Sequence, residues 1–151
     1  MGFPFQKFHH VCIVVRDIEE KVKYFESIGI GPWIEYPPLT QYTELDVPPE
    51  FEGFMALKYV EARVGDIEIQ LVQPSDKYDS PQKQFLDKYG EGVYHIGFVV
   101  DDVNEGEKVL ESKGVKTISR GRRPDQSGFN YLDTKDDAGV VLLIRKTATG
   151  H

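Results

Sequence analysis

The residues best suited to chemistry in this chain are two histidines, His10 and His95, 85 positions apart. Each interrupts an apolar run with the look of a strand, Phe8-His9-His10-Val11-Cys12-Ile13-Val14-Val15 and Tyr94-His95-Ile96-Gly97-Phe98-Val99-Val100. Side chains alternate across a strand. His10 therefore shares a face with Cys12 and Val14, and His95 with Gly97 and Val99. A third run, 67–72, turns Glu68 and Gln70 to one face and Ile67, Ile69 and Leu71 to the other. A fourth, 140–144, opposes Val141 and Leu143 to Val140, Leu142 and Ile144. One face is apolar on all four runs and must carry helices. The other brings His10, Glu68, Gln70 and His95 to a common surface. Polar groups in such a concavity cost free energy unless paired or bound. A divalent metal is the simplest partner for two imidazoles and an amide or carboxylate oxygen.

Further candidates surround these. Arg120, Arg122 and Arg123 cluster in an otherwise acidic chain. They read either as a solvated loop or as a clamp for phosphate or carboxylate. Phe129 and Tyr131, in the next hairpin, line a pocket or simply pack. Glu68 is a candidate base or a charge at the cavity rim. His9 reads as structural. Cys12, inside an apolar strand, reads as an inert buried thiol.

The elements that position these residues are duplicated. Asp17, Glu20, Lys23, Glu26, Ser27 and Gly29 recur as Asp102, Glu105, Lys108, Glu111, Ser112 and Gly114, at the same spacing as His10 and His95. Such an internal repeat governs everything else. In the first half Asp17 caps a helix whose stripe is Ile18, Val22, Phe25 and Ile28. A short strand, 33–36, stops at Pro37-Pro38. Residues 39–52 read as a surface loop, and 54–64 with 66–72 as a hairpin turning at Gly65-Asp66. Residues 74–80 link the halves, and 81–89 form a short helix. The second half repeats the plan with strand 93–100, a helix ending at Gly114, strand 115–119, loop 120–128, and strands 130–133 and 140–145. The tail from Lys146 is polar and frays. The expected fold is α+β: two tandem β-α-β-β-β modules, 7–75 and 91–147, forming one curved, open, barrel-like sheet cavity with helices outside. A lone module would leave one sheet face uncovered, so 1–151 reads as a single domain.

The bounds agree. A chain of 151 residues can bury a real core, and 40% apolar with 28% charged residues is an ordinary soluble composition. The net charge of −7 argues against nucleic acid or an anionic membrane surface as partner. No run of apolar residues is long enough to span a membrane. The start lacks a signal-peptide pattern, and one cysteine excludes an internal disulfide and fits a reducing cytoplasm.

Three stretches carry a family resemblance: His10-Val11 with its apolar strand and Asp17, Ile67-Glu68-Ile69-Gln70-Leu71-Val72-Gln73-Pro74, and His95-Ile96-Gly97-Phe98-Val99-Val100-Asp101-Asp102. The chain resembles the vicinal oxygen chelate superfamily, which holds glyoxalase I, methylmalonyl-CoA epimerase, extradiol dioxygenases and bleomycin-resistance proteins. It is most similar to the epimerase-like members. The resemblance implies a divalent metal (Zn, Co, Ni, Mn or Fe) held by His10, Gln70 and His95, and a homodimer. It implies a second catalytic glutamate in the 39–52 region, where Glu44 stands. Members usually end on a strand bearing a ligand Glu that often serves as base, but here Leu143 occupies that position. The leading expectation is a metal-dependent isomerase or lyase. It would move a proton next to a carbonyl of a small anionic or acyl-CoA-type substrate, with Glu68 or Glu44 as base and Arg120, Arg122, Arg123, Tyr131 and Leu143 around the substrate. The alternative is a small-molecule binding or resistance protein with a decayed metal site, supported by Leu143. An extradiol dioxygenase ranks last, because its iron needs two histidines and a carboxylate.

Overall fold

The duplicated strands meet at the centre of the molecule. A computed structural model describes residues 4–148. Nine strands within them form one sheet. The first half supplies β1 (Lys7–Val14), α1 (Ile18–Ser27), β2 (Ile34–Glu35), β3 (Glu44–Asp46), α2 (Phe51–Met55), β4 (Lys58–Val64) and β5 (Ile67–Gln73). After α3 (Pro81–Tyr89), the second half supplies β6 (Gly92–Val99), α4 (Val103–Ser112), β7 (Thr117–Arg122), β8 (Gly128–Leu132), α5 (Lys135–Ala138) and β9 (Val141–Lys146). The strand order is β2-β4-β5-β1-β6-β9-β8-β7-β3. Each half thus builds a four-stranded unit whose first and last strands pair in parallel, β1 with β5 and β6 with β9, and β3, the fifth strand of the first half, adds to the edge of the second unit. The units join through antiparallel β1 and β6. The sheet stays open, with β2 and β3 at its edges.

Local signals explain most elements. Asp17 caps α1 by accepting from Glu20 N, and Asp102 caps α4 by accepting from Asn104 N and Glu105 N. An aspartate there satisfies amides that the first turn leaves unpaired. Ser80 caps α3 in the same way. Gly65 (φ +62°) opens the two-residue turn between Val64 and Ile67, a backbone region that costs glycine little.

The two faces separate as parity requires. On the helix side, Val15, Ile18 and Leu71 form one buried cluster under α1, and Val100, Val103, Leu110, Leu132 and Ile144 form another under α4. Ile28, expected on the α1 stripe, falls at the helix C-terminus and is exposed. The concave side is also packed, with Cys12, Val14, Val72, Tyr94, Val141 and Leu143 joined by Tyr42, Phe54, Leu86, Phe129 and Tyr131.

The structure corrects two segments read as loops. Residues 39–52 hold a 3₁₀ turn at Leu39–Gln41, β3 and the start of α2. In β3 the chain crosses to pair with β7 of the other half. Residues 120–128 are strand at both ends, with a turn between: β7 runs to Arg122 and β8 starts at Gly128. The polar tail is strand through Lys146, and 149–151 lie outside the described residues.

Candidate functional site

Two rows of cross-strand neighbours build the site. One row reads Glu61–Gln70–Cys12–His95–Val141 across β4, β5, β1, β6 and β9. The next reads Glu68–His10–Gly97–Leu143–Tyr131 across β5, β1, β6, β9 and β8. Directly opposed residues on one sheet face have their Cβ atoms about 4.5–5.5 Å apart. His10 and His95 stand in adjacent rows as diagonal neighbours on the same face, and their long side chains meet over the β1–β6 seam, Nε2 to Nε2 at 2.9 Å. Gly97 makes this possible, because a Cβ there would overlap the His10 ring. A bulge falls just before each histidine, at His9 and at Tyr94. Bulges re-aim side chains beside sites. The first sets His9 against His10, Nδ1 to Nδ1 at 2.7 Å, with Arg145 and Glu68 behind it.

Both site histidines are neutral imidazoles. Burial and the facing ring hold His10 well below the usual histidine range, and burial pushes His95 down to about 3. Burial also pulls His9 down to about 4, assisted by Arg145. His95 Nδ1 is buried without a hydrogen-bond partner.

A cavity of about 50 Å³ opens over the histidines. Gln70, Leu143, Tyr131, Tyr59, Arg123 and Arg145 line it alongside His10 and His95. Aromatic rings from Tyr36, Tyr42, Phe54 and Phe129 close its far wall. Tyr59 and Tyr131 join hydroxyls at 2.8 Å, and burial raises both phenols well above their ordinary range. Arg123 stacks over Tyr42 and donates to Gln41, Ser127 and the Tyr42 hydroxyl.

Among the residues singled out from sequence, the cavity gathers His10, Gln70, His95, Arg123, Tyr131 and Leu143. Glu68 stands beside it, 4.0 Å from His9 and 3.9 Å from Arg63. Glu44 does not join the site. It lies exposed on β3, paired with Arg122 at the far edge of the sheet. Arg120 and Arg122 do not join it either, because β7 turns them to α4 while Arg123 faces the cavity. Arg120 Nε donates to Glu107 at 2.8 Å. Arg122, fully buried, donates to Asn104, Asn130, Glu107 and two carbonyls.

One residue held against the cavity lining through Gln70 escaped the sequence reading. Glu61 stands directly across from Gln70, whose Nε2 donates to its Oε2 at 3.5 Å. Burial and the Glu68 carboxylate push Glu61 up to about 7. The signal was present, since the turn at Gly65-Asp66 fixes a register that places Glu61 opposite Gln70. Tyr59 follows from the same register, and Arg145 from its parity with Leu143.

The donor set fits a divalent ion incompletely. Nitrogens 2.9 Å apart can share one ion at bond lengths of about 2.0–2.1 Å, and neutral imidazole is the ligating form. Gln70 adds an amide oxygen. Leu143 offers nothing, and among the described residues no group of three His, Cys, Asp or Glu is placed to hold a metal. His10, Gln70 and His95 would therefore form a three-donor site without charge.

A model of the Glyoxalase/Bleomycin resistance protein/Dioxygenase superfamily matches residues 9–132, and the chain belongs to that superfamily. Within it, the chain is 25% identical over 143 residues to the mitochondrial methylmalonyl-CoA epimerase of Homo sapiens, covering 93% of this chain and 73% of the relative. It is 28% identical over 137 residues to the uncharacterized protein YqjC of Bacillus subtilis, covering 89% and 88%. The fold matches the crystal structure of methylmalonyl-CoA epimerase from Mycobacterium tuberculosis with a TM-score of 0.71, at 22% identity over 98% of this chain and 92% of that one. It matches a variant of the Streptomyces coelicolor epimerase in complex with 2-nitronate-propionyl-CoA equally well, TM-score 0.71, at 23% identity over 96% and 99%.

Proposed function

We propose that this protein moves a proton at the carbon next to a carbonyl in an anionic, acyl-CoA-type substrate, assisted by a divalent ion held by His10, Gln70 and His95. The observation that carries this reading is the pair of neutral imidazoles at 2.9 Å with Gln70 and Glu61 beside them. When bound, the ion would supply Lewis-acid stabilisation for negative charge developing on the carbonyl oxygen. The protein's own groups do the rest. Glu61, pushed up to about 7, is matched to taking and returning a proton near neutral pH. Arg123 and Arg145 bring positive charge to the cavity wall for an anionic substrate. Phe54, Phe129 and Tyr42 exclude water, which strengthens each of these interactions. The relatives named methylmalonyl-CoA epimerase, one of them solved with methylmalonyl-CoA, support the substrate class.

Leu143 favours a second reading, a binding protein without chemistry. Metal titration by calorimetry separates the two. Wild type takes up one zinc or cobalt ion weakly, and His10→Ala takes up none. Leu143→Glu binds more tightly, by on the order of several kcal/mol before the new carboxylate's desolvation is subtracted. Undiminished uptake by His10→Ala would remove the ligand assignment, and a wild type that binds no ion supports the second reading.

A further inference from the structure

The two halves of this site are built alike and equipped differently. The internal duplication maps His10 onto His95 and Cys12 onto Gly97, at the same 85-residue offset. The cross-strand registers extend the mapping outward. Gln70 is the β5 neighbour of Cys12, and Leu143 is the β9 neighbour of Gly97. Glu61 stands beyond Gln70, and Tyr131 beyond Leu143. Each row is the other seen from the opposite end. The flank on β4 and β5 carries an amide and two carboxylates, Glu61 hydrogen-bonded to the amide of Gln70 and Glu68 turned to His9 and Arg63. The flank on β8 and β9 carries a leucine and a phenol.

We infer that this site exchanges the substrate's α-proton on one face only, with Glu61 as the group that takes and returns it, and does not interconvert epimers. The inference rests on the proton-transfer reading above and deepens it. The step balances simply. The C–H bond breaks, the proton passes to a Glu61 oxygen, and the bonding pair delocalises onto the carbonyl as an enolate. Glu61 then returns a proton, or a deuteron gained from solvent, to the same carbon. The enolate is planar, so inverting the centre needs a second donor on the other face.

Beside the histidines the far flank holds none; its one ammonium, Lys146, lines the cavity from the exposed end of β9, beyond Leu143. Leu143 has no proton to give. Tyr131 is buried and hydrogen-bonded to Tyr59, and giving up its proton would leave a phenolate in an aromatic pocket. Arg123 and Arg145 do not deprotonate. His10 and His95 turn their Nε2 atoms to each other.

The test incubates (2R)- and (2S)-methylmalonyl-CoA separately in D₂O with the protein and added cobalt or zinc. Mass spectrometry reads deuterium at the α-carbon, and circular dichroism of the thioester reads the epimer ratio. One epimer gains deuterium with retention, and exchange outruns epimerisation by about two orders of magnitude, the size of one placed acid–base group. Glu61→Gln loses the exchange while keeping metal uptake. Leu143→Glu, with a carboxylate on the second flank, gains epimerisation. Equal exchange and epimerisation by wild type would overturn one-faced transfer and leave the proton-transfer reading standing. Exchange that survives in Glu61→Gln would overturn the role of Glu61. Exchange of neither epimer would overturn the underlying reading, and this inference with it.

Discussion

At the scale of single residues, the smallest side chain in the site does the most positioning. Gly97 has no Cβ, so the His10 ring can lie across β6 and reach His95. Gly97→Ala forces that ring aside or pushes the strands apart, and overpacking of this kind costs about 1–3 kcal/mol. Gly92→Ala, on the same strand with nothing within 4 Å, is the control. Urea denaturation should show the loss for Gly97→Ala alone, and calorimetry should show its metal uptake weakened. Equal stability of the two variants would mean that the His10 ring does not depend on Gly97. The central residues were legible in the sequence because duplication and parity agree at His10, His95 and Gln70. Glu61 was not, because a carboxylate on a strand has no signature until a partner strand sets its register.

At the scale of elements, α4 and β7 show why the arginines divided. A strand alternates, so Arg120 and Arg122 face one way and Arg123 the other. Sequence placed all three in a loop, where parity has no meaning. The Pro124-containing stretch after them suggested that loop, yet the turn comes only at 123–127. Segment 39–52 misled in the same way: β3 is three residues long and draws its order from β7, a neighbour distant in sequence. Arg122 is a structural cation held by Glu107, Asn104 and Asn130. Breaking a buried pair by removing one partner costs about 3–5 kcal/mol. Glu107→Ala should approach that loss, since it leaves Arg122 buried without its anion. Arg120→Ala removes a partly exposed pair and should cost no more than about 1 kcal/mol. Chemical denaturation of both variants checks the order. A reversed order would place the structural burden on Arg120.

At the scale of the whole molecule, fold and site share one seam. β1 and β6 pair at the centre of the sheet, and each contributes one histidine to the meeting point. The concave core is shared in the same way. Cys12, Val14 and Val72 from the first half pack with Tyr94, Phe129, Tyr131, Val141 and Leu143 from the second. Neither half can bury this face alone, and an exposed central strand presents unpaired backbone groups along its length. β3 binds the halves again, because it belongs to the first and pairs only with the second. A fragment covering residues 1–80 should therefore lack a cooperative thermal transition, and so should one covering 81–151. Mixed together, the fragments should regain the sheet by pairing β1 with β6, and metal uptake should return with it, since each fragment carries one histidine. Circular dichroism and calorimetry of the fragments, separate and combined, provide the check. A fragment that melts cooperatively by itself would show that one module is stable with its concave face open.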